Sequence, residues 1–203
     1  MKRRVIFLLA ALVGVFTLLT AGSAQARTQT PDTGSGTRSL PVNVEQRIAA
    51  LEASGAKILD VTSAPYVKAD AKTGAGKLAY GSAESGKAEA TPAAYPTGCG
   101  LWVLVYRQGN LIYNDSLTSC LYQVLDIQMH SGLAWSRWFG WEELYSQTFD
   151  TDDSSSLDTY IWVDCTGTGT HDYQGVTNGF IETYSGDEYY AAAYDQIDRI
   201  ECG

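Results

Sequence analysis

All four cysteines, all five tryptophans and ten of the thirteen tyrosines of this 203-residue chain lie between Thr97 and Gly203. That segregation constrains the fold more than any motif does, because nearly all the aromatic area able to offset the ordering entropy of a core lies in the second half. A folded domain is therefore expected over 97–203, starting close to Cys99, with residues 27–96 as a flexible low-complexity arm. Residues 27–40, with Pro31, Gly34, Ser35 and Gly36, and residues 62–97, with Gly74, Gly76, Gly81 and Gly86, have the composition of linkers. Between them Asn43 stands where a helix cap belongs, and Val44, Ile48 and Leu51 follow at spacings of four and three, which predicts one short helix near 43–54.

Ahead of the arm, Lys2, Arg3 and Arg4 precede an apolar run from Val5 to Leu19, and Ala24-Gln25-Ala26 has the small-x-small form that a signal peptidase cuts. Residues 1–26 are thus expected to be a signal peptide, and the protein to be secreted, extracellular or at the cell surface. Four cysteines in an exported domain of this size most simply give two disulfides. Of three connectivities, Cys99 with Cys120 and Cys165 with Cys202 is favoured, since each pair would join the ends of a hairpin or meander. Gaps of 21, 45 and 37 residues between successive cysteines leave no thiolate spacing for zinc.

Within 97–203 the pattern is β. Leu101 to Tyr106 is a β-rich apolar run, Gln108-Gly109-Asn110 signals a turn, and Leu111 to Tyr113 would return as its hairpin partner. Leu157 to Cys165 alternates, with Tyr160 and Trp162 on one face and Ile161, Val163 and Cys165 on the other. Leu121 to Met129 fits a strand with Leu121, Leu125, Ile127 and Met129 together on one face, while 135–143 suits a loop or helical turn feeding a strand from Leu144 to Phe149. Gly167, Gly169, Gly175, Gly179 and Gly186 punctuate the remainder as turns between short strands. The expected fold is all-β, a small disulfide-stapled antiparallel β-sandwich preceded by the arm.

Charge narrows the partners. Residues 97–203 hold sixteen acids, three arginines and no lysine, so nucleic acid and anionic membrane, which need a basic footprint, are disfavoured. A neutral polysaccharide or a protein partner remains, with the oligomeric state left open. Asp150, Asp152, Asp153 and Asp158 form the densest carboxylate cluster, and hard oxygens at alternating positions suit a structural calcium ion, although the glycine and final glutamate of an EF-hand loop are missing.

Catalytic constellations are sparse. His130 and His171 are the only histidines, and no G-x-S-x-G elbow or H-E-x-x-H helix accompanies them. Glu142 and Glu143 are adjacent, so on a strand they point apart; a glycosidase pair would need one of them to face Asp164, Glu182 or Glu188. The aromatic excess carries more weight. Trp135, Trp138 and Trp141 cluster around Gly132 and Gly140, Tyr184, Tyr189, Tyr190 and Tyr194 form a second group, and His171 sits in a turn-rich polar stretch. Flat rings beside carboxylates and amides suit stacking on sugars or anchoring at a protein interface. The expectation is a secreted, non-enzymatic binding module for carbohydrate or cell-wall polymer; the alternatives are a protein-interaction or inhibitor domain and a small glycoside hydrolase.

Overall fold

A computed structural model of the chain describes residues 33–37, 44–58, 61–68, 86–87 and 95–203. The leader expected at 1–26, the cap Asn43 and the glycine-rich residues 69–85 lie outside the described residues. The described elements follow in the order β1 (Thr33–Thr37), α1 (Val44–Ala53), β2 (Thr62–Pro65), β3 (Val67–Lys68), β4 (Gly86–Lys87), β5 (Cys99–Gln108), β6 (Leu111–Arg137), β7 (Gly140–Asp164), β8 (Gly169–Glu182) and β9 (Glu188–Cys202). Hydrogen bonds join the strands into one antiparallel sheet that does not close on itself, in the order β3-β9-β8-β6-β5-β2-β4, with β7 on β6 and β1 on β7. The domain is thus mostly β, with one helix among the described residues. No helix among the described residues is long and apolar enough to cross a membrane.

The β5–β6 hairpin forms where the sequence signals it, turning at Gly109 with φ of 63° and running in register from Gln108 opposite Leu111 to Cys99 opposite Cys120. β5 is buried on both faces. Leu101, Val103 and Val105 face the interior shared with β8 and β9, while Trp102, Leu104 and Tyr106 face α1. The helix lays Val44 and Leu51 on that second face, with Ile48 packed beside them, as the spacing predicts. The end of β7 and the residue after it alternate as expected too: Ile161, Val163 and Cys165 enter one core, and Tyr160 and Trp162 pack toward the helix side. The fold draws on more of the chain than 97–203, because α1 and β1 to β4 all come from the arm.

β6 and β7 are far longer than the expected strands, 27 and 25 residues. The break within 135–143 shrinks to the two-residue turn Trp138-Phe139: β6 runs on through Arg137, and β7 starts at Gly140, whose φ of 122° favours glycine. The cause is pairing on both edges. Residues 111–119 of β6 lie between β5 and β7, and residues 126–135 lie between β8 and β7. Between these halves the register on β7 slips at residues 120–123. Burial departs from the expected alternation: Ile127 and Met129 are buried, but Leu121 and Leu125, expected beside them, are exposed, and Val124, expected on the opposite face, is buried.

Two glycines inside β8, expected as turn markers, let the layers approach. A Cβ at Gly175 would press on Val105 and Asn114, and one at Gly179 would collide with the Tyr66 hydroxyl. Asn114 of β6 reaches across to donate to Gly132 O at 3.0 Å and Val176 O at 3.3 Å. Ser116, Ser131 and Thr177 complete this fully buried polar knot through their hydroxyls, and Tyr66 shares a 2.7 Å hydrogen bond with Thr118. Both favoured disulfides are present, Cys99–Cys120 and Cys165–Cys202.

Candidate functional site

Two surfaces gather the aromatic and polar side chains singled out in the sequence. The first is the end of the β6–β7 hairpin. Trp138 is 95% exposed at its tip and meets Phe139 edge-on, with ring centroids 5.3 Å apart and planes at 88°. Trp135, one turn of pleat inward, is enclosed: His171 lies 4.5 Å from its ring centroid and the Arg137 guanidinium 4.6 Å. Its Nε1 donates to Glu142 Oε2 at 2.9 Å, the same oxygen that pairs with Arg137 Nε at 2.9 Å. Trp141 stands opposite Ser136 and is half-buried. The three tryptophans therefore share one end of the molecule without forming one flat platform. His171 belongs to this end as a structural element, its ring nitrogens 2.9 Å from Ser136 O and 3.0 Å from Thr168 O. Glu142 is occupied by Trp135 and Arg137, which leaves it poorly placed as one half of an acid pair.

The second surface is the outward face of β7, β6, β8 and β9. Strand register sets its rows. Asp152, Asp126, Glu182 and Glu188 are directly opposite one another across the four strands, and the next row is Asp150, Gln128, Phe180 and Tyr190. The row after that brings Thr148, His130, Asn178 and Ala192. Phe180 and Tyr190 touch, with centroids 5.2 Å apart and planes tilted by 52°. Tyr190 thus belongs to this face, whereas its neighbour Tyr189 points the other way and packs on the core around Tyr66. Asp126 is held above the usual carboxylate range, first by partial burial and then by the charges of Asp152 and Asp150, against the lowering effect of the Gln128 amide that donates to it at 2.7 Å. Phe180, Gln128 and Asp126 were not singled out in the sequence. The alternation Asn178, Phe180, Glu182 carried the signal, but the face becomes visible only once three neighbouring strands are in register.

The four aspartates read as a calcium site part company. Asp158 faces α1, where both of its oxygens accept hydrogen bonds from Arg47. Asp153, at φ of 49°, accepts from the Tyr184 hydroxyl at 2.7 Å, and Asp150 and Asp152 stand on the outward face. No group of three or more His, Cys, Asp or Glu among the described residues is arranged to hold a metal ion. Beyond the five residues of β1, the outer edge of β7 has no strand partner among the described residues, and acids along such an edge oppose pairing with another sheet.

Arg47 is a functional-looking residue that the sequence pattern does not reveal. It is fully buried on α1 and pairs with Asp115, also fully buried, as well as with Asp158. Burial alone would lower its pKa; the hydrogen bond to Asp158 and the charges of Asp115 and Asp158 reverse this, and the guanidinium sits above the ordinary arginine value. The signal was a charged residue on the apolar stripe, three positions after Val44 and four before Leu51. No protein-family model matches the chain, and no curated protein matches it in sequence.

Proposed function

We propose that the protein is an exported, non-enzymatic binding domain whose outward four-strand face takes a neutral polysaccharide. The observation that carries this reading is the Phe180–Tyr190 ring pair set among amide and carboxylate side chains in adjacent rows. Ring faces stack on the apolar face of a sugar, amides both donate and accept, and carboxylates accept from hydroxyls. The centre of a protein interface is depleted in acids, which argues against a protein partner on this face. A neutral polymer also meets no repulsion from an acidic domain. Export is supported by the leader-like start of the sequence and by two disulfides. The reading also treats the sheet as doubled over into two layers, sandwich-like, because β5 touches β8 and β9 without hydrogen-bonded pairing and Asn114 spans to Val176.

A second reading has its own observation. Perpendicular rings at an exposed hairpin tip make a wedge, and Trp138 with Phe139 would suit an extracellular protein pocket better than a sugar plane. One experiment separates the two. The chain from Arg27 onward is mixed with a panel of insoluble neutral polysaccharides and its depletion from solution is measured. Saturable depletion by one polymer, lost in Tyr190→Ala and kept in Trp138→Ala, is the expected result. Absence of depletion by every polymer would remove the carbohydrate reading, and loss only in Trp138→Ala would move the site to the hairpin tip.

A further inference from the structure

β1 is bound to the sheet in an unusual way. Its five residues, Thr-Gly-Ser-Gly-Thr, pair antiparallel with β7 from Thr33 opposite Val163 to Thr37 opposite Thr159, and none of them is buried. No apolar side chain anchors this strand, so the backbone ladder carries most of its attachment. What lies beneath it is selective. A Cβ at Gly34 would stand 2.5 Å from the Trp162 ring, and one at Gly36 would stand 2.7 Å from the Tyr160 hydroxyl. Trp162 and Tyr160 are half-buried and pack against the cluster that holds α1 on β5 and β6. The edge of β7 at Thr159–Val163 is therefore a slot in which glycine at two alternate positions lets an extended chain lie over both rings without moving them.

We propose that this edge is a strand-addition site for an extended Gly-x-Gly segment of a partner protein, and that β1 fills it as a displaceable internal occupant. The chemistry of the partner is read from the occupant: an extended backbone to continue the ladder, glycine over each ring, and small polar residues elsewhere. Residues 38–43 tether β1 to α1, so a displaced strand stays nearby and competes at high effective concentration. Strand addition here is independent of sugar binding on the outward face, because β1 occupies the edge of β7 away from the rows that carry Tyr190.

The test uses a labelled synthetic peptide of residues 29–41 and three proteins: the chain from Arg27, the same chain beginning at Leu40, and the full-length arm carrying Gly34→Val and Gly36→Val. The valine variant keeps every other residue, so it reports even if the shortened chain fails to fold. Fluorescence anisotropy is expected to show the peptide binding both altered proteins. Binding to the unaltered chain should be weaker by roughly tenfold or more, yet saturable in excess peptide. A peptide with valine at both glycine positions should bind the altered proteins roughly tenfold or more weakly than the native peptide. Failure of the peptide to bind the valine variant, equal binding of the two peptides, or an unaltered chain that admits no peptide at any concentration would each overturn the proposal.

Discussion

Arg47 ties the only helix among the described residues to the sheet through two carboxylates, Asp115 on β6 and Asp158 on β7. Removing the guanidinium takes the counter-charge from two carboxylates, one of them fully buried, whereas replacing all three groups removes the buried charges together. Arg47 Nε finds no acceptor among the described residues, which raises the cost of the charged arrangement. Arg47→Ala is expected to lower stability by about 3–5 kcal/mol in chemical denaturation followed by tryptophan fluorescence. The triple change Arg47→Met, Asp115→Val, Asp158→Val should return to within about 2 kcal/mol of the parent or exceed it. A loss below about 1 kcal/mol in Arg47→Ala would mean that the ion pairs do not hold the helix. Little of this was legible in the sequence. The helix was, from Val44, Ile48 and Leu51, but a lone arginine on that stripe has no readable partner until β6 and β7 bring two aspartates beneath it.

At the level of elements, the long hairpin of β6 and β7 decides which sequence patterns translate directly. The β5–β6 turn, the alternation over 157–165 and the disulfide pairs are local or nearly so, and each appears as read. The burial phase over 121–129 does not: Leu121 lies in the irregular stretch between Ser119 and Val124, and Leu125 is exposed although the register on β7 is continuous from Val124 to Met129. The β8 glycines were legible as glycines but not in their role, since a close approach of layers depends on what faces them. At Gly179 that is the Tyr66 hydroxyl, itself bonded to Thr118. Gly179→Ala is expected to cost about 1–3 kcal/mol by overpacking. Tyr66→Phe deletes the nearest of the crowding atoms and leaves the ring carbon at 2.8 Å, so the double change should cost less than the sum of the singles without abolishing the crowding. The coupling should be about 0.5 kcal/mol or more in a double-mutant cycle, and strict additivity would place the crowding elsewhere.

Across the whole molecule the question is why a chain whose aromatic residues crowd into its second half still recruits its first. β5 is the reason, since its helix-facing residues Trp102, Leu104 and Tyr106, with Tyr113 and Leu117 of β6, would meet water if α1 were gone. Exposed contiguous apolar surface of that kind is rare on a stable monomer. The two disulfides work differently, by restricting the unfolded chain: closing spans of 21 and 37 residues gives about 3–4 kcal/mol each in the chain-entropy model. They can hold the strands of residues 97–203 in register without covering that face. A chain beginning at Thr97 is therefore expected to keep its strand signal in circular dichroism and both disulfides, to bind a hydrophobic dye such as ANS, and to denature at lower urea than the chain beginning at Arg27. Adding back residues 44–96 should abolish dye binding, and the same addition with Arg47→Ala should abolish it less completely. If the 97–203 chain binds no dye and matches the longer one in stability, the helix is an accessory and the strands alone specify the fold.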